Sequence, residues 1–220
     1  MVDEPSQFFY RRTARRSGVA DGRVVRQVAG GHEYAQVRVS VDPLPRGSGN
    51  QLAWRAGSHI PARFAHAVME GMEAALTRGA PGRLPFVDIL AAVESGSYHE
   101  SDSNESAFRE AAEDATEQAL RRADPTLLEA VLSITVSTQE EFTGVVQALV
   151  ISYDEIIQAI SARDRTASVT AEFAASKTHE FISEVLRNTQ GTAEFSMSVV
   201  RFIESADGPP GAQDDWAAVT

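Results

Sequence analysis

Three residues in one short segment have the types that nucleophilic catalysis uses. Ser97, His99 and Asp102 could supply a nucleophile, a general base and a carboxylate that orients the base. The three lie within six positions of one predicted loop, and residues so closely spaced rarely reach the geometry of a catalytic triad. We therefore interpret the segment as a polar loop and predict no catalytic residue.

Nucleotide hydrolysis and metal binding require patterns that the sequence does not contain. No Gly-x-x-x-x-Gly-Lys-Ser/Thr segment occurs, and the only lysine is Lys177, so we do not expect this chain to hydrolyse GTP. There is no cysteine, and the histidines lack the spacing of a zinc site. They are His32, His59, His66, His99 and His179. We therefore predict no metal and no cofactor.

The charge is unevenly divided along the chain. The formal net charge is -11, but residues 1–66 carry ten arginines against five acidic residues, whereas residues 67–220 have a net charge of -16. Phosphate groups bind Lys and Arg, so any RNA-facing surface is expected near the N-terminal third, and coating of DNA by the whole surface is excluded. The arginine-rich segment over 11–26 fits a solvated basic arm and an RNA contact equally well.

The sequence also limits the compartment. No run of about 18 apolar residues occurs, and the N-terminus lacks the apolar stretch of a signal peptide. The absence of cysteine fits a reducing environment. We therefore predict a cytoplasmic protein that does not bind membranes.

Hydrophobic periodicity predicts an α+β first domain over residues 1–123. In chain order it predicts strands over 23–28 and 34–41, a helix over 61–78, a strand over 85–94 and a helix over 103–122. The pair Gly30 and Gly31 indicates a tight connection between the first two strands. Asp102 lies three residues before Glu105, a capping-box spacing that predicts the start of the second helix.

A second domain is predicted over 124–203, because Asp124-Pro125 interrupts the helical pattern. Its predicted elements are a strand over 128–136, a helix over 142–150, strands over 155–162 and 167–173, a helix around 181–186 and a strand over 193–199. The order β-α-β-β-α-β is that of ferredoxin-like folds. Residues 204–220, rich in Gly, Pro and acidic residues, are predicted to be a disordered tail.

Several short motifs follow one another between residues 5 and 202. They are Arg26-Gln27 before a glycine pair and Tyr34; the run from Pro43 to Gly49; Ile60-Pro61 with Ala67-Val68 and Gly71; Gly96-Ser97-Tyr98-His99-Glu100 followed by Asp102-Ser103 and Ala107-Phe108; Asp124-Pro125 with Leu127-Leu128-Glu129; Gly144; and Leu186-Arg187-Asn188-Thr189-Gln190-Gly191. In these motifs the chain resembles domains IV and V of elongation factor G, a translational GTPase, and its relatives, which include the ribosomal-protection tetracycline-resistance proteins.

The resemblance implies an S5 domain 2-like β-α-β domain followed by a ferredoxin-like domain. It further implies that the first domain reaches the decoding region of the small ribosomal subunit, and that the second contacts the large subunit near its GTPase-activating centre. The residues placed at an RNA-binding tip are Gly30, Gly31, His32, Glu33, Ser97, Tyr98, His99 and Glu100, with His99 outermost. Candidate contacts to the large subunit are Arg187, Thr189 and Gln190.

The chain departs from the family pattern at three places. Glu33 stands where the family usually has glutamine, and its carboxylate is expected to repel phosphate. The segment 151–154, Ile-Ser-Tyr-Asp, replaces a basic Arg-Arg-Gly turn, which removes two guanidinium groups. Phe181-Ile182 replaces a Gly-Tyr pair.

Two functions follow from the residues and the resemblance. The first is a ribosome-binding translation-factor module that contacts ribosomal RNA and proteins and performs no chemistry. The alternative is a diverged interaction domain that binds a protein partner, which the acidic second half and the lost arginines favour. An enzyme that uses the loop from Ser97 to Asp102 is the remote third interpretation.

Overall fold

The computed structural model describes residues 9–28, 31–79 and 84–205 of the chain. Contacts divide these residues into a first unit that ends at Leu128 and a second unit from Glu129 to Ser205. Each unit combines one sheet face with two helices, which confirms the predicted α+β class with two parts. The predicted tail falls largely outside the described residues, and Glu204 within it ends the last strand.

The first unit has a four-stranded sheet with the order β2-β3-β5-β4. Its elements are β1 (Tyr10–Ala14), β2 (Gly18–Val28), β3 (Gly31–Pro43), β4 (Gln51–Trp54), α1 (Ala65–Arg78), β5 (Ile89–Ser97) and α2 (Glu105–Arg122). β2 and β3 form an antiparallel hairpin whose register pairs Val28 with Gly31. β3 pairs antiparallel with β5, whereas β4 runs parallel to β5. The Gly30 connection itself lies outside the described residues.

Helices α1 and α2 cover one face of this sheet, and small residues let α2 approach its neighbours closely. The buried positions of α2 include Ala107, Ala111, Ala112, Ala115 and Ala119, all fully buried. A Cβ atom added at Gly22 of β2 would lie 2.0 Å from the carbonyl oxygen of Ala111, and one at Gly71 of α1 would lie 2.2 Å from that of Arg109. The narrow alanine stripe in the sequence therefore marks backbone-to-backbone packing rather than a thin core.

The second unit has the predicted order β-α-β-β-α-β. Its elements are β6 (Pro125–Gln139), which begins within the first unit, α3 (Thr143–Ser152), β7 (Ile157–Arg163), β8 (Thr166–Ala174), α4 (Ala175–Asn188) and β9 (Glu194–Glu204). β8 lies between β7 and β6, and β6, whose first residues belong to the first unit, pairs with β9 and also with β1, which makes the sheet five-stranded. Phe173 and Phe181 stack with ring centroids 4.1 Å apart, and Tyr153 meets Phe181 edge-on at 5.8 Å. This aromatic group joins both helices to the sheet.

One prediction about the first unit is wrong, and one of the two interpretations left open for it does not hold. The side chain that caps α2 belongs to Asn104, whose Oδ1 accepts a 2.8 Å hydrogen bond from Ala107 N, and not to Asp102. The N-terminal arginine segment is not simply a solvated arm, because it contains β1, in which Tyr10 and Ala14 are buried. Arg12 N donates to Pro85 O at 2.9 Å, so this segment is bonded into the unit.

Some element bounds also differ from the predicted ones. The strand expected over 85–94 is β5 and begins at Ile89, since Asp88 has a φ of 60° and interrupts the extended backbone. The short strand β4 has no recognisable alternation of polar and apolar residues, so hydrophobic periodicity does not predict it. Among the described residues, no helix is both long and apolar enough to cross a membrane.

Candidate nucleic-acid interface

The hairpin end of β2 and β3 lies against the loop between β5 and α2. Tyr34 N donates to Asp102 O at 2.9 Å, and the Ser103 hydroxyl donates to Tyr34 O at 2.7 Å. Asn104 Nδ2 donates to Glu33 Oε1 at 2.9 Å. We refer to residues 31–34 and 97–104 together as the tip. The two predicted loops are therefore neighbours, although Gly30 of the first loop lies outside the described residues.

The two sides of the tip are also joined through hydroxyl groups on the open face of the sheet. The phenol oxygen of Tyr34 lies 2.6 Å from Ser97 Oγ. Ser97 Oγ in turn donates to Gln36 Oε1 at 3.2 Å. The guanidinium carbon of Arg23 lies 5.8 Å from the centre of the Tyr34 ring, within the range of a cation–π contact. Side chains from three strands thus stabilise the base of the tip.

The outer part of the tip is an exposed run of polar and aromatic side chains. Tyr98, His99 and Glu100 are exposed, and together with Ser101 they line an open depression. The His99 side chain is 62% exposed, and its Nδ1 lies 3.2 Å from Asp102 Oδ2 and 3.1 Å from Ser101 Oγ. His32 and Gly31 on the hairpin side are exposed as well. These side chains are accessible to a macromolecular partner.

Glu33 does not present a free carboxylate, contrary to the expected repulsion of phosphate. Its carboxylate accepts from Asn104 Nδ2 and forms an ion pair with Arg26, whose Nη1 also lies 2.8 Å from Glu110. The hydrogen bond from Asn104 and then that from Arg26 hold the pKa of Glu33 below its usual range. Glu33 therefore ties the hairpin to the start of α2, and its charge is compensated.

Asn104 is a tip residue that the sequence analysis missed. Its Oδ1 caps α2 while its Nδ2 bonds Glu33, so one amide serves both sides of the tip. The residue type contained the signal, since asparagine directly before an apolar helical run is a favoured N-cap. The capping-box spacing of three residues between Asp102 and Glu105 predicted Asp102 as the cap instead.

The triad interpretation of Ser97, His99 and Asp102 has no support in the geometry. Ser97 Oγ is bonded to Tyr34 and Gln36, and the His99 nitrogen that is paired contacts Ser101 and Asp102. A nucleophile must be hydrogen-bonded to its base, and no such bond between Ser97 and His99 is found in the described part of the chain. Nor do the described residues contain a group of three or more His, Asp or Glu side chains placed to hold a metal ion.

The second unit carries the other three candidate contacts at the end of α4. Arg187 and Gln190 are exposed, but Thr189 is fully buried, and its hydroxyl donates to Val185 O at 2.8 Å. The Thr189 side chain is therefore not available to a partner. Gln190 has a φ of 53°, and Gly191 N donates to Leu186 O at 2.8 Å, the bond that closes a Schellman helix end. This part of the motif ends a helix.

The segment 151–154, which replaces the basic turn, covers the end of α3 and the start of its connection to β7, and this region exposes apolar side chains. Ile151 is 64% exposed and Ile156 is 75% exposed. Lys177 Nζ donates to Tyr153 O at 3.3 Å and to Glu155 at 2.9 Å, so the one lysine of the chain is occupied with this turn. The surface here carries exposed isoleucines and the exposed Asp154 where a guanidinium pair was expected from the family.

The comparisons with known proteins agree with the motifs. The family described as "Elongation factor G, domain IV" matches residues 7–124, and "Elongation factor G C-terminus" matches residues 126–210. Elongation factor G of Thermotoga neapolitana is 31% identical over 206 residues, and that of Thermotoga maritima is 30% identical over the same length. Each alignment covers 92% of this chain and 30% of the relative.

Among solved structures, a crystal structure of a protein from Thermus thermophilus has a TM-score of 0.76 and 26% identity. It covers 90% of this chain, which spans 30% of that protein. This chain thus corresponds to less than a third of the length of these relatives. The motif-based resemblance is confirmed: because the domain IV match alone extends over more than half of its residues, the chain belongs to the elongation factor G family.

Proposed function

We propose that this chain is the ribosome-contacting module of a translation factor, with the tip placed against RNA of the decoding region. The second unit would contact the large subunit through the exposed end of α4, at Arg187 and Gln190. The module acts by binding and shape, without chemistry of its own, and works in the cytoplasm with the ribosomes. Its membership of the elongation factor G family supports this assignment.

The observation that carries the proposal is the construction of the tip. Four side chains from Tyr98 to Ser101 line an exposed depression, while the backbone on both sides of them is hydrogen-bonded. A preorganised loop loses less conformational entropy on binding than a free one. Exposed aromatic and imidazole rings are the groups that stack on unpaired RNA bases. The tip thus combines rigidity with suitable chemistry.

Charge in the N-terminal half of the first unit also supports an RNA partner. The N-terminal 66 residues have a net charge of +5 in an otherwise acidic chain. The one carboxylate expected to oppose RNA at the hairpin, that of Glu33, is compensated by Arg26. Removal of this repulsion favours binding to phosphate-rich surfaces.

Co-sedimentation of the chain with ribosomes tests the proposal. We expect binding that weakens steeply between a low and a high salt concentration, because contacts to phosphate release bound counterions. His99→Ala should weaken binding by about 1–3 kcal/mol if the imidazole stacks on a base. His66→Ala is the matched control, since His66 is an exposed histidine on α1, with an 85% exposed side chain paired to Glu70. Equal binding of both variants and the parent chain would contradict the role of the tip.

We also propose that this chain neither binds nor hydrolyses GTP. The sequence has no phosphate-binding loop, and its only lysine contacts Tyr153 and Glu155. Titration of GTP into the chain by calorimetry should show no saturable binding in the micromolar range. Saturable binding would overturn this part and leave the ribosome contact to be judged by sedimentation.

One observation favours a protein partner as the second candidate function. Ile151 lies in the segment that replaces the family's basic turn, and Ile156 follows it closely; both are exposed, and exposed apolar side chains are typical of protein interfaces rather than RNA interfaces. If the second unit binds a protein, Ile151→Ser with Ile156→Ser should abolish that interaction and leave ribosome binding through the tip unchanged. Loss of ribosome binding in this double variant would assign the turn to the ribosome instead.

A further inference from the structure

We propose that Asp102 and Ser101 hold the neutral imidazole of His99 in the form protonated at Nδ1, so that Nε2 faces outward as a hydrogen-bond acceptor. The acceptor would receive the 2′-hydroxyl proton of a ribose. This inference rests on the proposed function and names the contact that His99 makes. Asp102 is then a positioning residue, which acts on the RNA only through His99.

The neighbours of His99 Nδ1 determine which ring nitrogen carries the proton. Asp102 Oδ2 lies 3.2 Å from this nitrogen, and an ionised carboxylate can only accept. Ser101 Oγ lies 3.1 Å from the same nitrogen, but its single proton is directed to Asp102 Oδ1, 2.7 Å away. Both neighbours of Nδ1 therefore offer lone pairs, and the proton between them must be on Nδ1. A neutral imidazole has one N–H, so Nε2 carries none.

The backbone of the loop is fixed around this arrangement. His99 N donates to Ser103 Oγ at 2.9 Å, and Ser103 N donates back to His99 O at 3.1 Å. Asp102 O accepts from Tyr34 N on the hairpin. The backbone of the residue whose carboxylate orients His99 is thus bonded to another strand, and the imidazole projects from a fixed base.

The outward acceptor selects among the groups of RNA. Phosphate oxygens only accept, so they cannot pair with an unprotonated Nε2, whereas a ribose 2′-hydroxyl can donate. The neighbouring side chain of Glu100 is exposed and anionic, which disfavours phosphate further. The arrangement therefore fits the sugar edge of RNA and not the backbone charge.

Nitrogen-15 NMR of the imidazoles tests the protonation directly, without a ribosome. At about pH 8.5, about two units above the ordinary pKa of histidine, the His99 signals should show Nδ1–H as the major form. The spectrum of His99→Ala assigns the signals among the five histidines. In Asp102→Asn, which keeps the shape and removes the charge, the population should shift towards the Nε2–H form that histidine favours in water. A wild-type His99 that is mainly Nε2–H would overturn the inference.

Ribosome sedimentation tests the acceptor role with single variants and one double variant. Asp102→Asn should bind about fivefold to tenfold more weakly than the parent chain, and adding His99→Ala to it should cost less than His99→Ala costs in the parent chain, because both side chains act on one hydrogen bond. His99→Gln retains an acceptor and should bind nearly as well as the parent, whereas His99→Lys has donors only and should bind poorly. Stronger binding by His99→Lys would show that phosphate is the partner and refute the acceptor role. If the parent chain does not sediment with ribosomes, the proposed function fails, and the NMR experiment alone decides the protonation.

Discussion

The tip of the first unit and the α4 end of the second unit both contain motif residues, but they use them differently. At the tip, Tyr98, His99 and Glu100 are exposed, and side chains around them are bonded to residues of other strands. At the end of α4, Thr189 is buried and its hydroxyl is bonded to the preceding turn. One motif presents side chains to the outside, and the other ends a helix.

The difference shows that a residue can belong to a family motif for either of two reasons: contact with a partner or a role in the fold. A residue such as His99 has no packing role that the structure reveals, so its position in the motif is best explained by a partner. Thr189 and Gln190 have sufficient local reasons, since one satisfies a helix carbonyl and the other adopts the left-handed turn. Arg187 is the α4 candidate for which the structure suggests a contact surface.

The largest effect is expected from filling the space between β2 and α2. In Gly22→Ala the added Cβ would lie 2.0 Å from Ala111 O and 2.6 Å from Ala115 N, both backbone atoms that cannot move independently. We expect the free energy of unfolding of the first unit to fall by about 2–3 kcal/mol. Hydrogen exchange of the β3 amides, followed separately from those of β8, measures the effect in each unit.

Gly144→Ala is the matched control in the second unit. Gly144 lies in α3, and no atom comes within 4 Å of an added Cβ. Alanine favours the helix more than glycine, so the second unit should gain about 0.5–1 kcal/mol. Equal behaviour of the two alanine variants would refute the close packing of α2 on β2.

The next effect concerns the two roles of Asn104. Asn104→Ala removes the cap of α2 and should lower the free energy of unfolding of the first unit by about 1 kcal/mol. Asn104→Asp keeps a capping oxygen for Ala107 N but loses the N–H that Glu33 accepts. The aspartate variant should therefore retain most of the stability and still loosen the hairpin side of the tip. Thermal melting reports the first effect, and exchange of the amides over 31–34 reports the second.

A smaller effect is expected at the helix end in the second unit. Gln190 has a φ of 53°, a conformation that glycine adopts at little cost. Gln190→Gly should raise the stability of the second unit by about 0.5 kcal/mol or leave it unchanged, measured by urea unfolding. If the same substitution also leaves ribosome binding intact, Gln190 serves the helix end and not the large subunit. A loss of ribosome binding would restore Gln190 as a contact.

The smallest effect is the pH dependence that Glu33 contributes. Its pKa is lowered in the folded chain, so its stabilising contribution is fully present above the ordinary glutamate pKa, near 4.5, and is lost as the pH falls through the lowered value. Glu33→Gln should therefore be less stable than the parent chain at neutral pH and lose less stability on the acid side, so that the two chains converge at low pH. Acid titrations of both chains, followed by the tip amides, check the sign. A steeper acid loss in the glutamine variant would contradict the ion pair with Arg26.

Much of the fold and part of the site were readable from local patterns. The order of elements in the second unit followed from the change between twofold and helical periodicity. The exposed run from Tyr98 to Glu100 was recognisable because it lies between a buried strand and a helix without a periodic partner. Both depend on residues close to one another in the chain.

The α+β class, the two-part organisation, the charge asymmetry and the family motifs were predictable from the amino-acid sequence, since they are properties of composition and short-range order. The tertiary structure decided which groups meet. Asn104 reaches Glu33 across 71 positions, and Tyr34 reaches Ser97 across 63. Residue spacing predicted the helix cap at Asp102, and residue type predicted a free carboxylate at Glu33. Both predictions failed because hydrogen-bond partners distant in the chain are set by strand register and loop packing.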